Sequence, residues 1–72
     1  MIKTGDIVRV IYKDEPWTKY FWKTGEVTLV EELMGTRVIH VRFPDGRTIG
    51  FTEGELQRIA KGAATQKVRR ES

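Results

Sequence analysis

The stretch Arg37 to Arg47, RVIHVRFPDGR, limits the fold more than any other part of the chain. Ile39, Val41 and Phe43 fall on one side of it and Val38, His40 and Arg42 on the other. This two-residue alternation of apolar and polar positions is the period of a half-buried strand, not of a helix. Pro44-Asp45-Gly46 then ends the alternation. Proline presets φ and glycine accepts positive φ, so the chain is built to reverse there and start a second strand at Arg47. An antiparallel hairpin is therefore the nucleus to which everything else must add.

Four further segments fit around it. Asp6 to Tyr12, DIVRVIY, is β-branched and alternating, with Val8, Val10 and Tyr12 on one face and Ile7, Arg9 and Ile11 on the other. Gly5-Asp6 supplies a turn before it. Gly25 to Glu32, GEVTLVEE, is predicted as the second strand, with Val27 and Leu29 on one face, and Met34-Gly35-Thr36 as its hairpin link to the Arg37–Phe43 strand. After Phe51, Thr52 with Glu55 three residues on matches a capping box, over a segment so short that a 3₁₀ turn is expected. Gln57 to Ile59 completes a fifth strand. The expected fold is all-β: a small, strongly bent five-stranded antiparallel barrel over residues 1–60, followed by a disordered basic tail over 61–72. Its expected core is Val8, Val10, Val27, Leu29, Ile39, Val41, Phe43, Ile49, Phe51, Leu56 and Ile59.

Composition then removes whole classes of function. The chain has 72 residues, no cysteine, one histidine (His40) and one serine, Ser72. Disulfides, thiolate metal sites, histidine clusters and Ser–His or Cys–His nucleophilic pairs cannot be assembled within it. No apolar run approaches the roughly 18 residues that span a bilayer. Glu31-Glu32 and Glu53-x-Glu55 lie at a strand end and in a turn, where carboxylates are solvated rather than tuned for acid–base work. A non-catalytic, cytoplasmic binding module without metal or cofactor is expected. Residues 1–60 are formally neutral, so Lys61, Lys67, Arg69 and Arg70 against Glu71 carry the whole formal charge of +3. That tail reads either as a nucleic-acid arm or as a solubilising end.

Two constellations remain as candidate sites. The segment KDEPWTKYFWKT, residues 13–24, holds Trp17, Tyr20, Phe21 and Trp22, four of the seven aromatics, interleaved with Lys13, Lys19 and Lys23. Aromatic faces stack on bases and lysines neutralise phosphates. Trp17 and Tyr20 are expected at the surface. Phe21 and Trp22 either join them or plug the open end of a barrel too small to close with aliphatics. The second constellation is His40 and Arg42 on the outward strand face, with Arg37 near the hairpin and Arg47 just across the turn. These cations either track a phosphate backbone or acidic partner, or pair with nearby carboxylates on an ordinary solvated face.

The order IKTGDIVRVI, TGEVTLVEE, TRVIHVRFPDGR resembles the KOW motif of ribosomal and transcription-elongation proteins, over about the first 45 residues. Here Gly25 stands where that motif enters its second strand, but the Lys13–Thr24 connection is longer than is usual there. From Gly5 to Ile59 the chain also resembles a group of SH3-like photosynthetic electron-transfer proteins. The group includes small subunits of photosystem I and of the photosynthetic NDH-1 complex, and the variable chain of ferredoxin–thioredoxin reductase. The Pro44–Gly46 turn departs from the long loop of the photosystem member. Both resemblances imply an SH3-like barrel, in which the long loop often lines a ligand groove. The first implies nucleic acid as partner. The second implies docking in a larger complex, with basic residues meeting an acidic protein. The favoured expectation is weakly sequence-specific nucleic-acid binding. In it Lys19, Lys23, Arg37, Arg42 and Arg47 meet phosphate, Trp17 and Tyr20 stack on bases, and Lys67, Arg69 and Arg70 add salt-sensitive affinity. The alternative is a protein-docking subunit centred on the same loop.

Overall fold

A computed structural model of the chain describes residues 1–61. The tail expected over 61–72, with Lys67, Arg69 and Arg70, lies outside the described residues apart from Lys61. The fold is all-β. Its strands are β1 (Ile7–Val10), β2 (Thr24–Leu33), β3 (Thr36–Arg42), β4 (Thr48–Phe51) and β5 (Leu56–Ala60), with 3₁₀ turns over Thr18–Tyr20 and Glu53–Glu55. All pairings are antiparallel, in one sheet of order β4-β3-β2-β1-β5. Consecutive strands lie side by side, and β5 returns to pair with β1. No ladder joins β4 to β5 among the described residues, so hydrogen bonding does not close the sheet into the expected barrel.

The turns follow from their residues. Leu33 pairs with Thr36 across Met34 (φ 50°) and Gly35 (φ 82°). Two successive positive φ angles give the two-residue hairpin whose twist matches that of the strands. In the second hairpin the Gly46 N–H donates to the Phe43 carbonyl at 2.9 Å, and the Phe43 N–H donates to the Arg47 carbonyl at 2.9 Å. Gly46 has a φ of 90°. This is a three-residue loop in which Pro44 takes the first central position of the turn and glycine the left-handed site. The Asp45 carboxylate accepts the Arg47 N–H at 2.9 Å, which locks the loop from within. In the second 3₁₀ turn the Thr52 N–H donates to the Glu55 carboxylate at 2.9 Å, as the capping pattern predicts.

Val8, Val10, Val27, Ile39, Val41, Phe43, Ile49, Phe51 and Leu56 form the core, joined by Ile2 and Tyr20. Two expected core residues are outside it: Leu29 is 48% and Ile59 45% exposed. A β-bulge sits at each place, but it moves only Leu29 off its expected face; Ile59, three residues after the buried Leu56, already alternates outward. Val27 pairs with Val41 and Leu29 with His40, so Thr28 is an extra residue in β2. Ile7 pairs with Ala60 and Val8 with Arg58, so Ile59 is an extra residue in β5. In each, two residues oppose one on the partner strand, so faces counted in twos along the sequence no longer hold across it. Beyond Thr28 it is Val30, not Leu29, that packs against the core. Arg58 takes the place opposite Val8, and its guanidinium reaches the buried Asp6 carboxylate at 3.8 Å.

Gly25, in β2, faces Val41, Arg42 and Phe43 with no room for a side chain. A Cβ there would lie 2.6 Å from Val41 Cγ1 and 2.7 Å from the Arg42 carbonyl oxygen. The position admits only glycine without movement of the β3 backbone.

Candidate nucleic-acid interface

The loop from Lys13 to Lys23 divides its aromatics between inside and outside, and the division inverts the expected one. The 3₁₀ turn over Thr18–Tyr20 drives Tyr20 inward, where it is 4% exposed and its ring centroid lies 4.5 Å from that of Phe43. Trp17 is half-buried and packs edge-on to Tyr20 at 6.4 Å. Tyr20, backed by Trp17, is therefore the loop residue that joins the core, and it is not available for stacking. Phe21 and Trp22 are on the surface, with ring centroids 5.6 Å apart. Trp22 is held there by a left-handed backbone (φ 71°), with its N–H donating to the Val10 carbonyl at 2.7 Å. A bulky residue at positive φ is strained, and this strained backbone is what turns the indole outward.

The cations divide as well. Arg37 donates to the Ile2 carbonyl and lies 3.6 Å from Glu53, whose carboxylate also accepts the Ile2 N–H at 3.1 Å. It ties the N-terminal segment to the second 3₁₀ turn. His40 Nε2 meets Glu31 at 3.0 Å, and Arg42 meets Glu26 at 3.6 Å. The Thr28 bulge places Glu31 on the outer face beside His40. On the outward face of β3, His40 and Arg42 thus each meet a carboxylate, while Arg37 is tied to Ile2 and Glu53, so the three do not form a free cationic strip. Arg47 flanks Asp45 across the turn, and Lys19 Nζ stands 5.5 Å from the Tyr20 ring centroid.

The cations without an ion pair among the described residues include Arg9, Lys13 and Lys23. Arg9 stacks on Trp22, its Cζ 4.8 Å from the ring centroid, and Lys13 Nζ lies 5.7 Å from that of Phe21. Lys23 is exposed directly after Trp22. Arg9 and Lys13 therefore stand over two exposed aromatic rings with Lys23 next in the chain, and none of the three has an ion pair among the described residues. Of these, Arg9 lies outside both constellations visible in the sequence. Its one signal there is an outward position in an otherwise apolar strand, next to a connection rich in aromatics. Among the described residues no three His, Asp or Glu side chains converge as a metal site would require, and no helix is long and apolar enough to cross a membrane.

At the other end of the loop the Tyr20 hydroxyl donates to Asp45 Oδ2 at 2.8 Å. The Arg47 N–H, then the Tyr20 hydroxyl, hold the Asp45 carboxyl below its ordinary value. Burial, then the bond to Asp45, raises the Tyr20 phenol above its ordinary value near 10. The folded chain binds the Asp45 proton less tightly, and the Tyr20 proton more tightly, than the unfolded chain. The stability from this pair is full between about pH 4 and pH 10. It is lost as pH falls through the lowered Asp45 value or rises through the raised Tyr20 value. Tyr20→Phe keeps the ring and removes the bond. Urea midpoints of the two proteins across pH should differ most within that window and converge at its acid end.

No protein-family model and no curated protein matches the chain.

Proposed function

We propose that the protein is a small non-catalytic module that binds single-stranded nucleic acid with weak sequence preference through Arg9, Lys13, Phe21, Trp22 and Lys23. The observation that carries this reading is the pair of exposed rings, 5.6 Å apart, with Arg9 over Trp22 and Lys13 over Phe21, two cations that make no ion pair among the described residues. Rings at that spacing give successive bases a platform, and the cations meet the backbone between them. The strand order, with β5 returning to β1, supports an SH3-like barrel as the scaffold. It fits the KOW-like resemblance on which the nucleic-acid expectation rests.

The protein-docking reading has one observation in its favour. Leu29, Leu33 and Met34 are exposed on and beside the long β2–β3 hairpin, as an interface anchor would be. Salt separates the two readings. Three lysine or arginine contacts to single-strand phosphates imply a logarithmic slope of about −2, or roughly a 20-fold loss of affinity from 50 to 200 mM salt. Fluorescence anisotropy with a labelled short oligonucleotide measures this slope. Absence of binding, or binding indifferent to salt, removes the nucleic-acid reading and leaves the hairpin surface as the place to seek a partner.

A further inference from the structure

On one side β2 outruns its neighbour. β3 pairs along it from Glu26 to Leu33, but β1 pairs only with Thr24, Gly25 and Glu26. The last backbone bonds on the β1 side are the Val27 N–H to the Asp6 carbonyl at 2.9 Å and the Gly5 N–H to the Val27 carbonyl at 2.8 Å. From Thr28 to Leu33 no strand covers that edge among the described residues. The hairpin fixes which groups the edge offers. Leu33 and Thr36 close a two-residue loop, and such a closing pair exchanges both of its hydrogen bonds. Alternation then turns the N–H and C=O of Leu33, Glu31 and Leu29 toward β3, and those of Glu32 and Val30 toward the open edge. The bond from the Phe43 N–H to the Arg47 carbonyl keeps the same phase, with the odd residues of β3 facing β4 and the even ones β2.

We propose that this edge takes up, by strand addition, an extended basic segment of a partner protein in which lysine or arginine alternates with apolar residues. The site uses none of the residues of the nucleic-acid interface and does not depend on that reading. The backbone groups of Val30 and Glu32 supply the ladder, and the side chains on the two faces choose the partner. On the outer face an added strand lies beside Leu29 and Leu33, which are 48% and 53% exposed. On the other face it lies beside Glu32, which is exposed and makes no ion pair among the described residues. Residues 28–33, TLVEEL, hold two carboxylates and no cation, so the complement is cationic. The same charges disfavour a second copy of this strand. The self-pairing that uses both Val30 and Glu32 sets Glu31 directly opposite its own counterpart, and like charges so placed repel. Nor is the edge merely blunted against association, since blunting puts charge where this strand presents half-exposed leucines.

The test is an NMR titration of the full chain with the heptapeptide KVKVKVK, and with EVEVEVE as its acidic counterpart. The lysine peptide should shift the Val30 and Glu32 amides, slow their hydrogen exchange, and leave Phe21–Lys23 unmoved. The glutamate peptide should bind at least about tenfold more weakly, and Glu32→Lys should narrow or reverse that ratio. Two further lysine peptides, methylated on the backbone nitrogens of the lysines or of the valines, separate the ladder from charge attraction. Only one of these sets faces β2 in an added strand, so one peptide should lose binding and the other keep it. An equal effect of the two overturns strand addition. No binding of KVKVKVK, or shifts confined to other strands, overturns the site. Slow exchange at Val30 and Glu32 before any peptide is added would mean that the edge is already covered. If that protection is independent of protein concentration the cover is the chain itself, and if it grows with concentration it is a second copy. Either result overturns the proposal.

Discussion

Gly25→Ala is expected to destabilise the fold by about 1–3 kcal/mol, the range for forcing a methyl group into a packed interior. The added carbon would stand 2.6 Å from Val41 Cγ1, 2.7 Å from the Arg42 carbonyl oxygen and 3.2 Å from Phe43 Cδ1. A carbonyl of the neighbouring strand cannot rotate aside as a flexible side chain does, so β2 and β3 must separate, and with them the longest ladder of the sheet. Gly54→Ala is the matched control, since nothing lies within 4 Å of a Cβ there. Urea denaturation followed by circular dichroism should show a lowered midpoint at unchanged slope for Gly25→Ala and little change for Gly54→Ala. A Gly25→Ala protein as stable as the parent would mean that the two strands do not approach so closely.

Trp22→Gly should separate stability from binding. Glycine adopts a φ of 71° without the steric penalty of about 1 kcal/mol that an L side chain carries there. What it loses in the folded state is the contact of a half-exposed indole with Arg9 and Phe21. The two effects oppose each other, and net stability should stay within about 1 kcal/mol of the parent. Oligonucleotide affinity should fall about 10- to 100-fold, the equivalent of one lost base stack. Trp22→Phe, with a ring in the same place, should retain most of it. Trp22→Gly with undiminished affinity would remove this surface as the binding face.

What the sequence disclosed and what it concealed divide along a physical line. Turns dictated by single residues were legible: Met34-Gly35 and Pro44-Asp45-Gly46 fall where glycine, proline and aspartate chemistry put them. All five strands lie within a residue or two of their expected bounds, because β-branched alternation is local information. Leu29 was misplaced because a bulge has no strong residue signature while strand faces are counted in twos, and Ile59 because Leu56, which begins β5 and faces inward, was read as part of the preceding turn. The aromatic loop was legible as a site-bearing segment but not in its detail. Whether Tyr20 or Trp22 turns inward depends on a 3₁₀ turn, one positive φ, and Asp45, which lies 25 residues away in sequence and receives the Tyr20 hydroxyl. The cations of β3 looked free because their partners, Glu26 and Glu31, belong to another strand, and Glu31 reaches His40 by way of the bulge.

The Thr28 bulge works like a corrected reading frame. Without Thr28, Val27, Leu29, Val30 and Glu31 would already alternate in, out, in, out, and those are the faces the described structure gives them. The extra residue is therefore silent for the inside–outside message of β2 and speaks only through the bend and twist it adds. Loss of the residue at position 28 leaves the later letters in frame, whereas loss of Val30 would put Glu31 where the core now holds a valine.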